Sequence, residues 1–132
     1  MSPRSIPLAV ASLTALAGAL AQHPPTASLW PRGAELDFGE LATREEAFDT
    51  LWLANPTDAA FAVETVRSSC GCTAVDWPAE PLSPGGVVGI PVRFRCTRGG
   101  GPVRRHLDVW LSHLRRAQRV YVYADCPPRG RR

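Results

Sequence analysis

Val87-Val88-Gly89-Ile90-Pro91-Val92-Arg93-Phe94-Arg95-Cys96 decides the fold. Val88, Ile90, Val92, Phe94 and Cys96 take alternate positions, with Val87, Gly89, Pro91, Arg93 and Arg95 between them. Side chains of an extended chain point to opposite faces in turn. The stretch therefore reads as a strand with one face on a core and the other toward water. Downstream, Thr97 to Pro102 is a Gly-rich loop. Val103 to Leu111 then alternates again, with Val103, Leu107, Val109 and Leu111 inward and Arg104, His106, Asp108 and Trp110 outward; Arg105 breaks the inward row near its start. Ser112 to Ala117 turns the chain. Arg119 to Cys126 is the last strand, with Val120, Val122, Ala124 and Cys126 inward and Tyr121, Tyr123 and Asp125 outward.

Upstream, Pro78 to Gly86 carries three prolines and a Pro-Gly-Gly end, which excludes helix or central strand and predicts a crossing loop. Thr73 to Trp77 reads as a short strand, with Trp77 packing over that loop. Phe61 to Ser68 is another strand, and Asn55-Pro56-Thr57-Asp58 before it is a turn, since proline fixes φ and Asn and Asp bond their own backbone. Glu45 to Asn55 and Ala34 to Gly39 supply two more. About seven short strands with turn signals between them predict a single antiparallel immunoglobulin-like β-sandwich over 34–126.

The first residues do not belong to it. Met1-Ser2-Pro3-Arg4 is weakly basic, Ile6 to Leu20 is apolar and small, and Ala19-Leu20-Ala21 fits a signal peptidase site. Residues 1–21 thus read as a cleavable signal peptide, leaving no transmembrane anchor after cleavage. Residues 22–33 are a Pro-rich lead-in, and 127–132 a disordered Pro/Arg tail. The predicted location is the periplasm or the extracellular space. The net charge is +3 and every basic residue is arginine. That balance, in an exported chain, does not point to nucleic acid.

The chemistry concentrates in Ser68-Ser69-Cys70-Gly71-Cys72-Thr73. Extended backbone would turn both sulfurs to one face. If consecutive strands alternate in direction, the third, fifth and seventh end at the same pole. Cys70 and Cys72, Cys96 and Cys126 then gather there. Cysteines in a small exported chain favour disulfides, and four can pair in more than one way. Cys96 and Cys126 are in phase with their inward faces, so we predict a bridge between them, with Cys70 and Cys72 on the rim nearby.

A bridge across one residue closes a tight ring, so the Cys-Gly-Cys pair has two further readings. As thiolates it could hold a soft ion such as copper. His106 and His113 do not obviously converge on it, and His23 lies beside the cleavage site. As a redox pair it lacks a helix N-terminus to lower its pKa, and Arg67 is the nearest cation in sequence. Ser68 and Ser69 have no His and Asp partners in view, and no phosphate loop precedes a helix. No cofactor is predicted, copper being the alternative. Trp110, Tyr121 and Tyr123 form a candidate surface aromatic patch.

The chain resembles the bacterial "domain of unknown function 1573" family. The matching pieces are Asp37-Phe38-Gly39, Leu51-x-Leu53-x-Asn55, Ser69-Cys70-Gly71-Cys72-Thr73, Pro81-Leu82-x-Pro84-Gly85 and Gly89-Ile90-Pro91-Val92-Arg93-Phe94. The resemblance covers Glu35 to Ala124. It implies an exported immunoglobulin-like domain, akin to the sperm-protein-like β-sandwiches, and no established activity. The family often has a polar residue where Cys96 stands and often ends its last strand on Gly-x-Val, where this chain has Ala124-Asp125-Cys126. The predicted function is a non-catalytic binding or assembly module of the bacterial cell envelope, acting on an unknown envelope protein. The alternative is a periplasmic thiol site.

Overall fold

The computed structural model describes residues 28–42, 46–96 and 100–128. The expected signal peptide, the first part of the lead-in and the last four residues of the expected tail lie outside them. Seven strands follow in order: β1 Glu35–Glu40, β2 Glu46–Ala54, β3 Val63–Ser68, β4 Thr73–Val75, β5 Val87–Arg95, β6 Gly101–Leu111 and β7 Gln118–Cys126. They form two sheets, ordered β1-β7-β6-β3 and β2-β5-β4. The expected immunoglobulin-like sandwich is borne out.

The alternation that defines each strand also fills the core. Ile90, Val92 and Phe94 of β5 are buried, as are Leu107, Val109 and Leu111 of β6 and Val120 and Val122 of β7. Leu51 and Leu53 of β2 and Leu36 of β1 complete the layer between the sheets. Phe38 of β1 stacks on Phe94 of β5 with ring centroids 5.5 Å apart, tying one sheet to the other. A buried aromatic of this kind contributes on the order of 2–3 kcal/mol through its area alone.

Every neighbouring pair is antiparallel except β1 and β7, which run parallel. The exception follows from the alternation of direction. β1 and β7 are both odd in the order, so once they become neighbours they must point the same way. Leu36 lies opposite Val122, and Asp37 opposite Tyr123.

β3 shows why Val63 and Val66, three apart, can both face inward. Its register shifts between Val63 and Thr65, so Val63 pairs Leu111 and Thr65 already pairs Trp110. Glu64 is the extra residue of a bulge, and the shift returns Val66 to the inward row opposite Val109. Phe61 lies ahead of the strand and makes a single bridge to Leu82 in the crossing loop.

That loop is fixed by Asn55, which is buried. Its Nδ2 donates to the carbonyls of Ala59 at 2.9 Å and Leu82 at 2.8 Å. Its Oδ1 accepts from the Thr57 amide at 2.9 Å and the Thr57 hydroxyl at 2.6 Å. Its own amide donates to the Gly86 carbonyl, and its carbonyl accepts from Gly85. The loop closes where Gly86 N–H donates to the Ser83 carbonyl, with Pro84 and Gly85 between. Gly85 has φ of 73°, the left-handed value that a proline–glycine turn demands.

Three differences from the sequence reading have local causes. β6 begins at Gly101 rather than Val103, because Gly101 and Pro102 already pair with Cys126 and Asp125. β4 stops at Val75, and Trp77 lies beyond it with 36% of its surface exposed. Pro127 and Pro128 are seated on the domain: a Cβ at Gly100 would lie 2.4 Å from the Pro128 Cα, so the chain passes directly over that glycine.

Candidate functional site at the cysteine pole

β3, β5 and β7 end at the same pole. The structure joins Cys96, just past β5, to Cys126, the last residue of β7, with Cα atoms 5.8 Å apart. The bond therefore ties the end of one sheet to the end of the other. Cys126 is buried and Cys96 partly so. Cys70 and Cys72 are joined to each other, with Cα atoms 5.3 Å apart. No cysteine is free among the described residues.

The Cys-Gly-Cys segment is the crossing from β3 in one sheet to β4 in the other. Each of its neighbours helps to hold it. The Ser69 amide donates to the His106 carbonyl at 2.9 Å, and the Ser69 hydroxyl accepts from the His106 amide at 3.0 Å. The side chain thereby replaces a backbone carbonyl in the β3–β6 ladder, and the chain is free to leave the sheet. The Ser68 hydroxyl donates to the Cys70 carbonyl at 2.7 Å and accepts from the Cys70 amide at 3.3 Å. On the far side the Cys72 carbonyl accepts from the Arg95 amide, and Thr73 enters β4 opposite Phe94. The Thr73 hydroxyl touches both sulfurs, at 3.8 and 3.9 Å. Cys72 and Thr73 are buried, Cys70 is half-buried and Gly71 is exposed. Sequence reasoning singled out the cysteines but gave the serines no role; a hydroxyl at a strand end, next to a turn, was the available signal.

His23 lies outside the described residues, and neither His106 nor His113 joins this site through its ring. His113 stacks on Phe61 at the opposite pole, with centroids 4.2 Å apart. The His106 Nε2 lies 3.8 Å from Asp108 on the outer face of the larger sheet. Among the described residues no three of His, Cys, Asp and Glu gather where they could hold a metal ion. Closed in a disulfide, Cys70 and Cys72 offer no thiolate, so the copper reading would first require their reduction. The Ser68 and Ser69 hydroxyls are both engaged with backbone, so neither is poised beside a base.

The aromatic residues divide into two groups. Tyr121 and Tyr123 stand side by side on the outer face of β7, centroids 6.4 Å apart. Trp110 lies opposite Thr65 on β3, and the Asp108–Arg119 pair falls between it and the tyrosines. The Arg119 guanidinium donates to both Asp108 oxygens, at 2.8 and 3.1 Å. That hydrogen bonding, helped by the positive charge of Arg119 and His106, holds the Asp108 carboxyl below its ordinary value of 3.8 against the opposing effect of burial. A lowered carboxyl stabilises the fold above its unfolded pKa, and the contribution is lost as pH falls through the folded one. The same pairing raises Arg119.

No helix among the described residues is long and apolar enough to cross a membrane. Two sheets around one core, with their odd strands converging on a pole closed by two disulfides, define a disulfide-stapled immunoglobulin-like β-sandwich. The chain belongs to the family described as "Protein of unknown function (DUF1573)", whose model matches residues 32–126. No protein of curated function matches the sequence.

Solved structures share the fold at low identity. A protein of unknown function from Porphyromonas gingivalis W83 aligns with a TM-score of 0.62 at 14% identity, over 70% of this chain and 44% of its own. The chain thus spans less than half of that protein. The ASH / PapD-like domain 7 of human CEP192 gives 0.60 at 14% identity, over 75% of this chain and 84% of that one. The CupB2 chaperone of Pseudomonas aeruginosa gives 0.53 at 13% identity, over 72% and 54%.

Proposed function

We propose that this protein is a non-catalytic binding or assembly module of the bacterial cell envelope, with its cysteines serving the scaffold. The observation that carries the reading is the closure of both cysteine pairs at one pole, where they fix the crossing between sheets and the ends of β5 and β7. Disulfides belong to oxidising compartments, which agrees with an exported location and with the signal-like start of the chain. PapD-like and chaperone domains among the structural neighbours are in keeping with a scaffold whose work is done at its surface.

The test is intact mass of the protein isolated from its compartment and alkylated without reduction. The expected result is no label and the loss of one hydrogen from each of the four cysteines. Two labels mapped to Cys70 and Cys72 would overturn the structural role of that pair and favour the thiol-site alternative. The exposure of Gly71, which leaves one side of the bridge open to solvent, is the observation on which that alternative would build.

A further inference from the structure

The outer face of the larger sheet carries a groove that neither the cysteine pole nor the core explains. It runs along the junction of β1 and β7, has a volume of about 590 Å³ and is open to solvent. Tyr121 and Tyr123 of β7, Glu35 and Asp37 of β1, and the guanidiniums of Arg32 and Arg119 line it. The parallel register creates this arrangement. Glu35 lies opposite Tyr121 and Asp37 opposite Tyr123, so each ring has a carboxylate beside it on the next strand.

We infer that this groove binds a neutral oligosaccharide. The inference rests on the binding-module reading and gives it a ligand class. Two properties carry it. The first is the tyrosine pair: two rings set side by side, that of Tyr121 beneath the Arg104 guanidinium, offer apolar surface with polar tips, suited to the C–H face of a sugar ring and its hydroxyls. The second is the charge. Three carboxylates, Glu35, Asp37 and the Asp108 that pairs with Arg119, balance three guanidiniums, Arg32, Arg104 and Arg119. An anionic ligand would meet Glu35 and Asp37, and a cationic one would meet Arg32 and Arg119. A neutral polyhydroxylated ligand gives donors to the first pair and acceptors to the second.

The groove is also held in advance of binding. Arg119 is fixed by the two Asp108 oxygens, and Arg32 lies over the Trp52 ring at 4.9 Å. The Asp37 Oδ1 accepts from the Gly39 amide at 2.9 Å, which orients the carboxylate. The Arg104 guanidinium lies over the Tyr121 ring, 5.2 Å from its centroid. Groups already in place lose little freedom on binding.

The experiment is a titration of the isotope-labelled full chain with cellotetraose, N-acetylchitotetraose and maltotetraose, followed by amide chemical shifts. A tetragalacturonate and an arginine-rich peptide serve as charged probes. The inference expects at least one neutral probe to shift amides of 35–37 and 119–123. Tyr123→Ala and Glu35→Gln should each weaken that binding by about tenfold or more, with melting transitions near that of the parent. Three results would overturn it: no shift with any neutral probe at millimolar concentration, shifts confined to another face, or preference for a charged probe in the groove. The last would leave the binding-module reading standing, whereas free thiols at Cys70 and Cys72 would strike that reading and not this one.

Discussion

Asn55 shows how one side chain can carry a topology. It sits in the core between the end of β2 and the crossing loop, and it meets four partners with its amide alone. In the sequence it is the first residue of an Asn-Pro turn, and the turn is real. Its larger role lies in the bonds to Leu82 and, through its backbone, to Gly85 and Gly86, about thirty residues on. No local rule reveals such a partner. Asn55→Ala would leave the Leu82 and Ala59 carbonyls without this donor and open space in a closed site. We expect a loss of roughly 1–3 kcal/mol, from the hydrogen bonds of a buried amide whose partners each keep at most one other donor or turn to solvent. Asn55→Asp should cost at least as much, because a carboxylate would face two carbonyl oxygens. Urea unfolding of both variants measures this. A midpoint within error of the parent for Asn55→Ala would show that the loop does not depend on the residue.

Among the elements, the two disulfides do different mechanical work. Cys96–Cys126 closes a separation of 30 residues and joins β5 to β7 across the sandwich. Cys70–Cys72 spans a separation of 2 within one crossing. Cross-linking restricts the unfolded chain more as the loop lengthens. The Cys96→Ala/Cys126→Ala double variant should therefore lose about 3 kcal/mol, and Cys70→Ala/Cys72→Ala about 1 kcal/mol. Calorimetry on the two pairs checks the order, and an equal or reversed loss would refute it. The strands themselves were legible because period-two alternation is local. Val88, Ile90, Val92 and Phe94 announced β5, and Val120, Val122 and Ala124 announced β7. The gathering of the four cysteines was also within reach, since it follows from direction alone. What alternation could not reveal is pairing between distant strands. The parallel contact of β1 with β7 belongs to that class, and so does the groove, which exists only because Glu35 and Asp37 lie beside Tyr121 and Tyr123. The bulge at Glu64 was hidden for a different reason: Val63 and Val66 break the period, and only pairing with β6 shows that an extra residue restores it.

At the scale of the whole molecule, the question is whether two sheets make one cooperative unit. The smaller sheet cannot stand alone, because Leu51, Leu53, Ile90, Val92 and Phe94 have their burial partners on the larger one. The larger sheet would in turn expose Leu107, Val109, Leu111, Val120 and Val122. Separating the layers thus exposes the whole core at once, and no partly folded state retains half of its stabilisation. Small single domains of this kind unfold in one transition. Tryptophans report on the two layers separately. Trp52 is on β2 in the smaller sheet, packed across Gly89, where a Cβ would come within 3.4 Å of its ring. Trp110 is on β6 in the larger sheet, opposite Thr65. We expect variants that keep only Trp52 or only Trp110, with the others replaced by Phe, to show fluorescence transitions in urea that coincide with their own circular dichroism transitions. Reducing the disulfides should move both to lower urea without splitting them, because the shared core and not the cross-link couples the sheets. If the Trp52 signal were lost ahead of the Trp110 signal under reducing conditions, the coupling would reside in Cys96–Cys126, and the core between the layers would be weaker than its burial implies.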